Sequence, residues 1–266
     1  MLSKLLKHEF RATGRFMWVI YLAMLVLSVA ANVSMRMLAR TDNRILEGIM
    51  IVLLVAWVLA LVIGGVMITV LLIQRFYKNL LTDEGYLMFT LPTTVHQLVL
   101  SKLIVAVVWF LVTILAYVLC VFLAVVDNVV LRNMIEILRT MYESFSAHYA
   151  INGVAIVLEV LLLLVVATAS SCLQFYSAMS IGYGFTNHKG LWSVVFYFVI
   201  SFVLQILSTI AMVGTDLIDF GEGILELTAM QAWHLGILGT TGAMLILSAV
   251  FYIITVLNLQ KRLNLS

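Results

Sequence analysis

Long apolar stretches, separated by short segments that carry almost all the charge, recur along the whole chain and fix the solvent in which it can fold. A bilayer's hydrocarbon core is about 30 Å thick and takes roughly 20 residues of helix to cross. Six stretches reach or exceed that length: Phe16–Met35, Ile49–Gln74, Leu103–Val126, Ile151–Gly182, Leu191–Val213 and Trp233–Asn258. Hydrophobic residues make up 64% of the sequence and charged residues 11%, with a mean hydropathy of +1.15, far from the composition of a water-soluble domain. Backbone N–H and C=O groups find no water in hydrocarbon, so a spanning segment must be a helix or part of a closed barrel. Barrel strands alternate apolar and polar residues, and this sequence shows no such alternation. The expected fold is an all-α integral membrane protein with six transmembrane helices, forming a single membrane domain over residues 1–266.

Basic residues favour the cytoplasmic side of a membrane. With the N-terminus inside, Lys4, Lys7, Arg11, Arg15, Arg75, Lys78, Lys102, Lys189, Lys261 and Arg262 fall inside, against Arg36, Arg40, Arg44, Arg132 and Arg139 outside. The last outer connection carries Asp216, Asp219, Glu222 and Glu226 and no Lys or Arg, in keeping with that orientation. Both termini are therefore expected in the cytoplasm. A cleavable signal peptide ending near Val29-Ala30-Ala31 is the rival account of the first stretch, but the apolar run is long for one and retention as a membrane helix fits better. Cys120 and Cys172 each sit inside an apolar run, so they read as small buried residues and not as a disulfide framework. The net charge of +2 arises from membrane-edge residues and gives no support to a nucleic-acid partner.

Residues 1–15 are amphipathic, with Leu2, Leu5, Leu6 and Phe10 on one side and Lys4, Lys7, Arg11 and Arg15 on another, the pattern of a helix lying in the inner headgroup layer. Between the third and fourth spans, Arg132–Glu136 and Arg139–Glu143 are opposite charges one helical turn apart, pointing to a short external helix. Stripes of small residues mark helix interfaces in lipid. They occur at Ala56, Ala60 and Gly64; at Ala167, Ser171, Gln174, Ala178 and Gly182; and at Gly236, Gly239, Gly242 and Ala243, where packing within the chain is the simplest account. Glu159 is the one acid well inside an apolar run. With Ser171 and Gln174 of the same span it is a candidate for lining a polar path, although an interfacial or ion-paired role is an equal alternative. Gln205 is expected to make an interhelical hydrogen bond.

The stretch QRFYKNLLTDEGYLMFTLPTTVHQLVLSK, from Gln74 to Lys102, is too long and too mixed to be a simple turn. It holds the acidic pair Asp83-Glu84, Gly85, the chain's single proline Pro92, and an amphipathic run with Val95, Leu98 and Val99 on its apolar side, which Thr93 or Thr94 would cap. The order Glu84-Gly85, a short hydrophobic stretch, Leu91-Pro92 and then Lys102 at the mouth of a span resembles the cytoplasmic loop of ABC transporter permeases of the type-2 exporter class, in the form found in Gram-positive bacteria. The layout of an amphipathic first helix and six spans is similar across the whole chain. The resemblance implies a transmembrane permease subunit in a bacterial plasma membrane, working as a homo- or heterodimer with a second permease subunit. The loop would act as a coupling helix docked on a separate ABC ATP-binding subunit, through Asp83, Glu84, Gly85, Tyr86, Pro92 and His96. The first helix would lie near the same subunit, and the substrate would be hydrophobic or amphipathic, such as a peptide or lipid.

The chain has no GxxxxGK[ST] phosphate loop. By the resemblance, ATP and its magnesium ion would be held by the partner, leaving this chain without a cofactor. His8, His96, His148, His188 and His234 are scattered at span ends with no second His at metal-ligand spacing, and Ser170, Ser171 and Ser177 have no obvious base in their span, so catalysis by the chain itself is not expected. An ATPase-independent membrane protein, such as a secondary transporter, channel or immunity protein, is the alternative.

Overall fold

The computed structural model describes residues 2–38, 40–41, 43–81, 93–127, 133–137, 139–140, 143, 153–185, 187–217 and 229–263. Regular structure among them is helical throughout: α1 Leu2–Leu38, α2 Arg44–Leu81, α3 Val95–Val125, α4 Gly153–Gly182, α5 Lys189–Leu217 and α6 Ala229–Leu263. All six are long and apolar enough to cross a membrane, which makes the chain an all-α, multi-pass membrane protein. Helices α1, α2, α5 and α6 outrun at both ends the apolar stretches that announced them, α3 does so only at its start, and α4 lies within its stretch. The 38 residues of α2 extend about 57 Å at 1.5 Å per residue, well beyond the hydrocarbon core.

The chain divides into two compact units, Met1–Gln74 with Ile104–His148, and Arg75–Leu103 with Tyr149–Ser266. In the first, α1 and α3 run parallel, fastened along their length by polar side chains. Trp109 Nε1 donates to Thr13 Oγ1 at 2.8 Å, the Tyr21 and Thr113 hydroxyls meet at 2.8 Å, and Asn32 Nδ2 donates to the Ala124 and Val126 carbonyls, both at 2.9 Å. The antiparallel α2 adds Trp57 Nε1 to Ser28 Oγ at 2.9 Å and accepts Tyr117 Oη at the Leu61 carbonyl, 2.6 Å away. Small residues allow this closeness: a Cβ on Gly64 would meet Met24 Sδ at 2.8 Å, and one on Gly65 would collide with Tyr117 Oη.

Helix α1 has no break at Arg15, so residues 2–15 are not a separate element. Gly14 sits against the Trp109 indole and Thr13 takes its N–H, and these contacts carry the helix across the one glycine that might have ended it. The amphipathic pattern itself is present, with Lys4, Lys7, Arg11 and Arg15 exposed and Leu2, Leu5, Leu6 and Phe10 partly covered. Residues 133–137 are helical, as expected between the third and fourth spans, and Arg139 Nε reaches Glu143 Oε1 at 2.8 Å; Arg132 lies outside the described residues.

In the second unit α4 packs against both α5 and α6. It runs antiparallel to α5, with Gln174 Nε2 donating to Ser201 Oγ at 2.8 Å and Phe175 stacked on Tyr197 at 4.3 Å between ring centroids. A Cβ on Gly182 would fall on the Ser193 backbone. His188, at φ 51°, turns the short connection between them, and its carbonyl accepts the Trp192 N–H. The stripe on α2 is thus packed inside the chain, as is the α4 stripe from Gln174 to Gly182, whereas Ser171 is exposed. The stripe on α6 is not packed in this way: among the described residues nothing lies within 4 Å of a Cβ built on Gly236, Gly239 or Gly242. Gln205 is likewise exposed on α5, and Ser201 makes the interhelical bond expected of it.

The contrast between these glycines is testable. Gly182→Ala should lower the thermal midpoint of the purified protein, with a loss of about 1–3 kcal/mol from overpacking, whereas Gly239→Ala should be neutral or stabilising by up to about 1 kcal/mol through helix propensity. Fluorescence-detected gel filtration after heating would separate the two.

Candidate functional site

Of the residues expected to meet a partner, Asp83, Glu84, Gly85, Tyr86 and Pro92 lie outside the described residues, and His96 is described. The structure does give the two helical stems that carry the 82–92 segment. Helix α2 continues to Leu81, two turns past the apolar run, and α3 begins at Val95. Thr94 is the cap: its hydroxyl accepts the Gln97 N–H at 3.3 Å and its carbonyl the Leu98 N–H at 3.2 Å. Leu98 and Val99 are buried, as the apolar side of this run required.

Both stems are fixed to the C-terminal three helices by aromatic side chains. Phe76, fully buried, stacks on Tyr176 of α4 with centroids 3.9 Å apart and planes 7° from parallel. Tyr77 meets Tyr183 edge to face at 5.2 Å and accepts its hydroxyl proton at 2.8 Å, while Lys189 Nζ stands 5.1 Å from the centroid of the same Tyr183 ring. On the other stem, His96 Nδ1 and Tyr252 Oη of α6 are 2.9 Å apart, and Tyr176 Oη donates to the Lys102 carbonyl at 3.4 Å. Lys102 is buried, so it is not a solvated residue at a loop end. Aromatic pairs contribute about 0.5–1.5 kcal/mol beyond the area they bury, and a cation over a ring about 0.5–1 kcal/mol at an exposed site. Several such contacts on stems of under ten residues each make the base of the segment continuous with α4 and α6.

The other end of the unit holds a second polar contact. His234 Nδ1 of α6 lies 2.7 Å from both Oε1 and Oε2 of Glu159 on α4. The expected path residues do not converge on it. Gln174 is spent on Ser201 of α5, and the Ser171 hydroxyl bonds the Ala167 carbonyl of its own helix at 2.9 Å. Glu159 thus meets a histidine of α6, and neither Ser171 nor Gln174 joins it. Among the described residues no group of three or more His, Cys, Asp or Glu side chains could hold a metal ion.

Sequence reasoning missed His234 and the aromatic base. For His234 no signal was available, since by the apolar stretches it stands at the edge of its span while Glu159 lies eight residues inside its own. For Phe76, Tyr77 and Tyr176 there was none beyond an excess of aromatic residues near span ends.

Loosening the base should show locally. Phe76→Ala opens a cavity worth about 3–5 kcal/mol, which predicts amide hydrogen exchange at residues 75–81 rising more than tenfold while α1 is unchanged, as read by exchange mass spectrometry.

No protein family, no curated protein and no solved structure matches this chain.

Proposed function

We propose that this chain is the membrane-spanning permease subunit of an ATP-driven exporter of the ABC type-2 class, coupled to a separate ATP-binding subunit through residues 82–96. The observation that carries the proposal is the fastening of both stems of that segment to α4 and α6 by Phe76–Tyr176, Tyr77–Tyr183 and His96–Tyr252. A transport subunit that hydrolyses nothing itself needs a stiff handle through which a partner's closure can move membrane helices, and a segment on flexible tethers would dissipate the push. Six helices that can cross a membrane supply the body to be moved.

In this proposal Asp83, Glu84, Gly85, Tyr86 and Pro92 meet the ATP-binding subunit. His96, exposed but engaged through Nδ1 with Tyr252, links the docked surface to α6. ATP and magnesium are held by the partner, the positively charged first turns of α1 lie near it on the cytoplasmic face of a bacterial plasma membrane, and a second permease subunit completes the path for a hydrophobic or amphipathic substrate. The ATPase-independent alternative, a secondary transporter, channel or immunity protein, draws on Glu159–His234, a titratable pair between spans.

Purification of tagged chain from its native host in mild detergent distinguishes them. The exporter proposal predicts a copurifying ATP-binding protein and ATPase activity, with the association lost on reversing Asp83 and Glu84 to Lys. Glu84→Lys alone should leave membrane insertion intact and reduce substrate-stimulated hydrolysis at least tenfold, a loss of about 1.4 kcal/mol or more in coupling. A chain that purifies alone and without ATPase activity would favour the alternative.

A further inference from the structure

Glu159 and His234 join the N-terminal ends of α4 and α6, two parallel helices that also meet at their other ends, where Asn258 Nδ2 lies 3.4 Å from Ser180 Oγ. The carboxylate is 17% exposed and the imidazole 28%, so both are largely removed from solvent. A contact to both carboxylate oxygens requires a proton on Nδ1, since an acceptor nitrogen there would face two acceptors. Trp233, the next residue, is 56% exposed and is of the amphipathic type that settles at headgroup level. Both residues stand within the first two turns of their helices, on the side that carries the 218–228 connection.

Among the described residues of α4 and α6, no other titratable side chain stands near the pair. On α4 every other residue from Val154 to Val166 is apolar, and the next titratable side chain is Cys172; on α6 the next is Tyr252. Of α5's titratable residues, Lys189 and Tyr197 are committed to Tyr183 and Phe175 at the far end. The stems of α2 and α3 contact α4 and α6 at that far end too. Near the pair in sequence stand Asp216 on the last turn of α5 and Asp219, Glu222 and Glu226 beyond it.

We propose that Glu159 and His234 form a proton-controlled clasp between α4 and α6, closed when the imidazole is protonated and loosened when it is not. With the second proton present the pair is neutral overall and each charge has its partner. Loss of that proton leaves a net negative charge between two apolar helix faces, a state relieved by separation and entry of water. The clasp depends on no transported substrate and on no ATP-binding partner.

Spin labels at Val157→Cys and Leu235→Cys, both exposed positions, with Cys120 and Cys172 changed to Ser, allow the α4–α6 distance to be measured by pulsed electron resonance in lipid nanodiscs. Conditions of about pH 5.5 and about pH 8.5 bracket the range in which imidazoles change charge. The expected result is a narrow distance at the lower pH that broadens and lengthens by about 2 Å or more at the higher, with Glu159→Gln and His234→Gln each abolishing the difference. Superimposable distributions at both pH values in the otherwise native chain overturn the proposal. So does a pH response that persists in either Gln variant, which assigns the switch to Asp216 and its neighbours. If a Gln variant does not fold, the native comparison decides alone.

Discussion

Hydrocarbon offers a polar group no hydrogen-bond partner, and the placement of nearly every polar side chain in the spans follows from that. Serine and threonine meet the requirement locally: Ser28, Ser34, Thr113, Ser248 and Thr255 each donate to the carbonyl four residues back, which lets them sit at a helix interface as small, closed groups. Side chains too long to fold back on their own helix must find partners on another. Trp57, Trp109, Tyr117 and Asn32 do so, and those bonds set the spacing of α1, α2 and α3. A polar group used in this way is structural, and few are left over to act.

The two units share one plan with different fastenings. In each, two helices run parallel and the one between them in sequence runs antiparallel. The first unit is joined by hydrogen bonds spread along α1 and α3, from Thr13 to Asn32. The second concentrates its polar and aromatic contacts at the ends: Phe76, Tyr77, Tyr176, Tyr183 and Tyr252 at one, Glu159 and His234 at the other, with apolar packing between. A ladder of bonds along its length resists both sliding and opening. A bundle fastened at its ends keeps a middle that can be repacked at small cost, since lipid tails replace apolar contacts readily.

The spans were legible because they depend on composition over some twenty residues, a property that no tertiary contact can overturn. Their ends were less so. Residues 95–102 were legible from the apolar side formed by Val95, Leu98 and Val99, but no local pattern announced that 75–81 stays helical with Phe76 buried against Tyr176. Thr94 was visible as a cap because capping is local. The stripes at Gly64 and Gly182 could be assigned to interfaces, but which stripe meets which helix is decided by the fold, and the one at Gly236 and Gly239 meets nothing among the described residues. Glu159 stood out as an acid in an apolar run. Its partner did not, since His234 resembles any histidine at a span end until α4 and α6 are known to be neighbours.

That neighbourhood ties the two ends of the second unit mechanically. Helix α4 carries Glu159 near its start and Tyr176 near its end, 17 residues or about 25 Å apart along the axis. Between Val154 and Ile181 it has neither proline nor glycine, the residues at which helices bend sharply, and its hydroxyl side chains bond back to preceding carbonyls without interrupting it. It is a stiff rod held at one end by the stem of α2 and at the other by a histidine of α6. A tilt imposed at Phe76 and Tyr176 must therefore be expressed at Glu159, where it either strains the contact with His234 or carries α6 along.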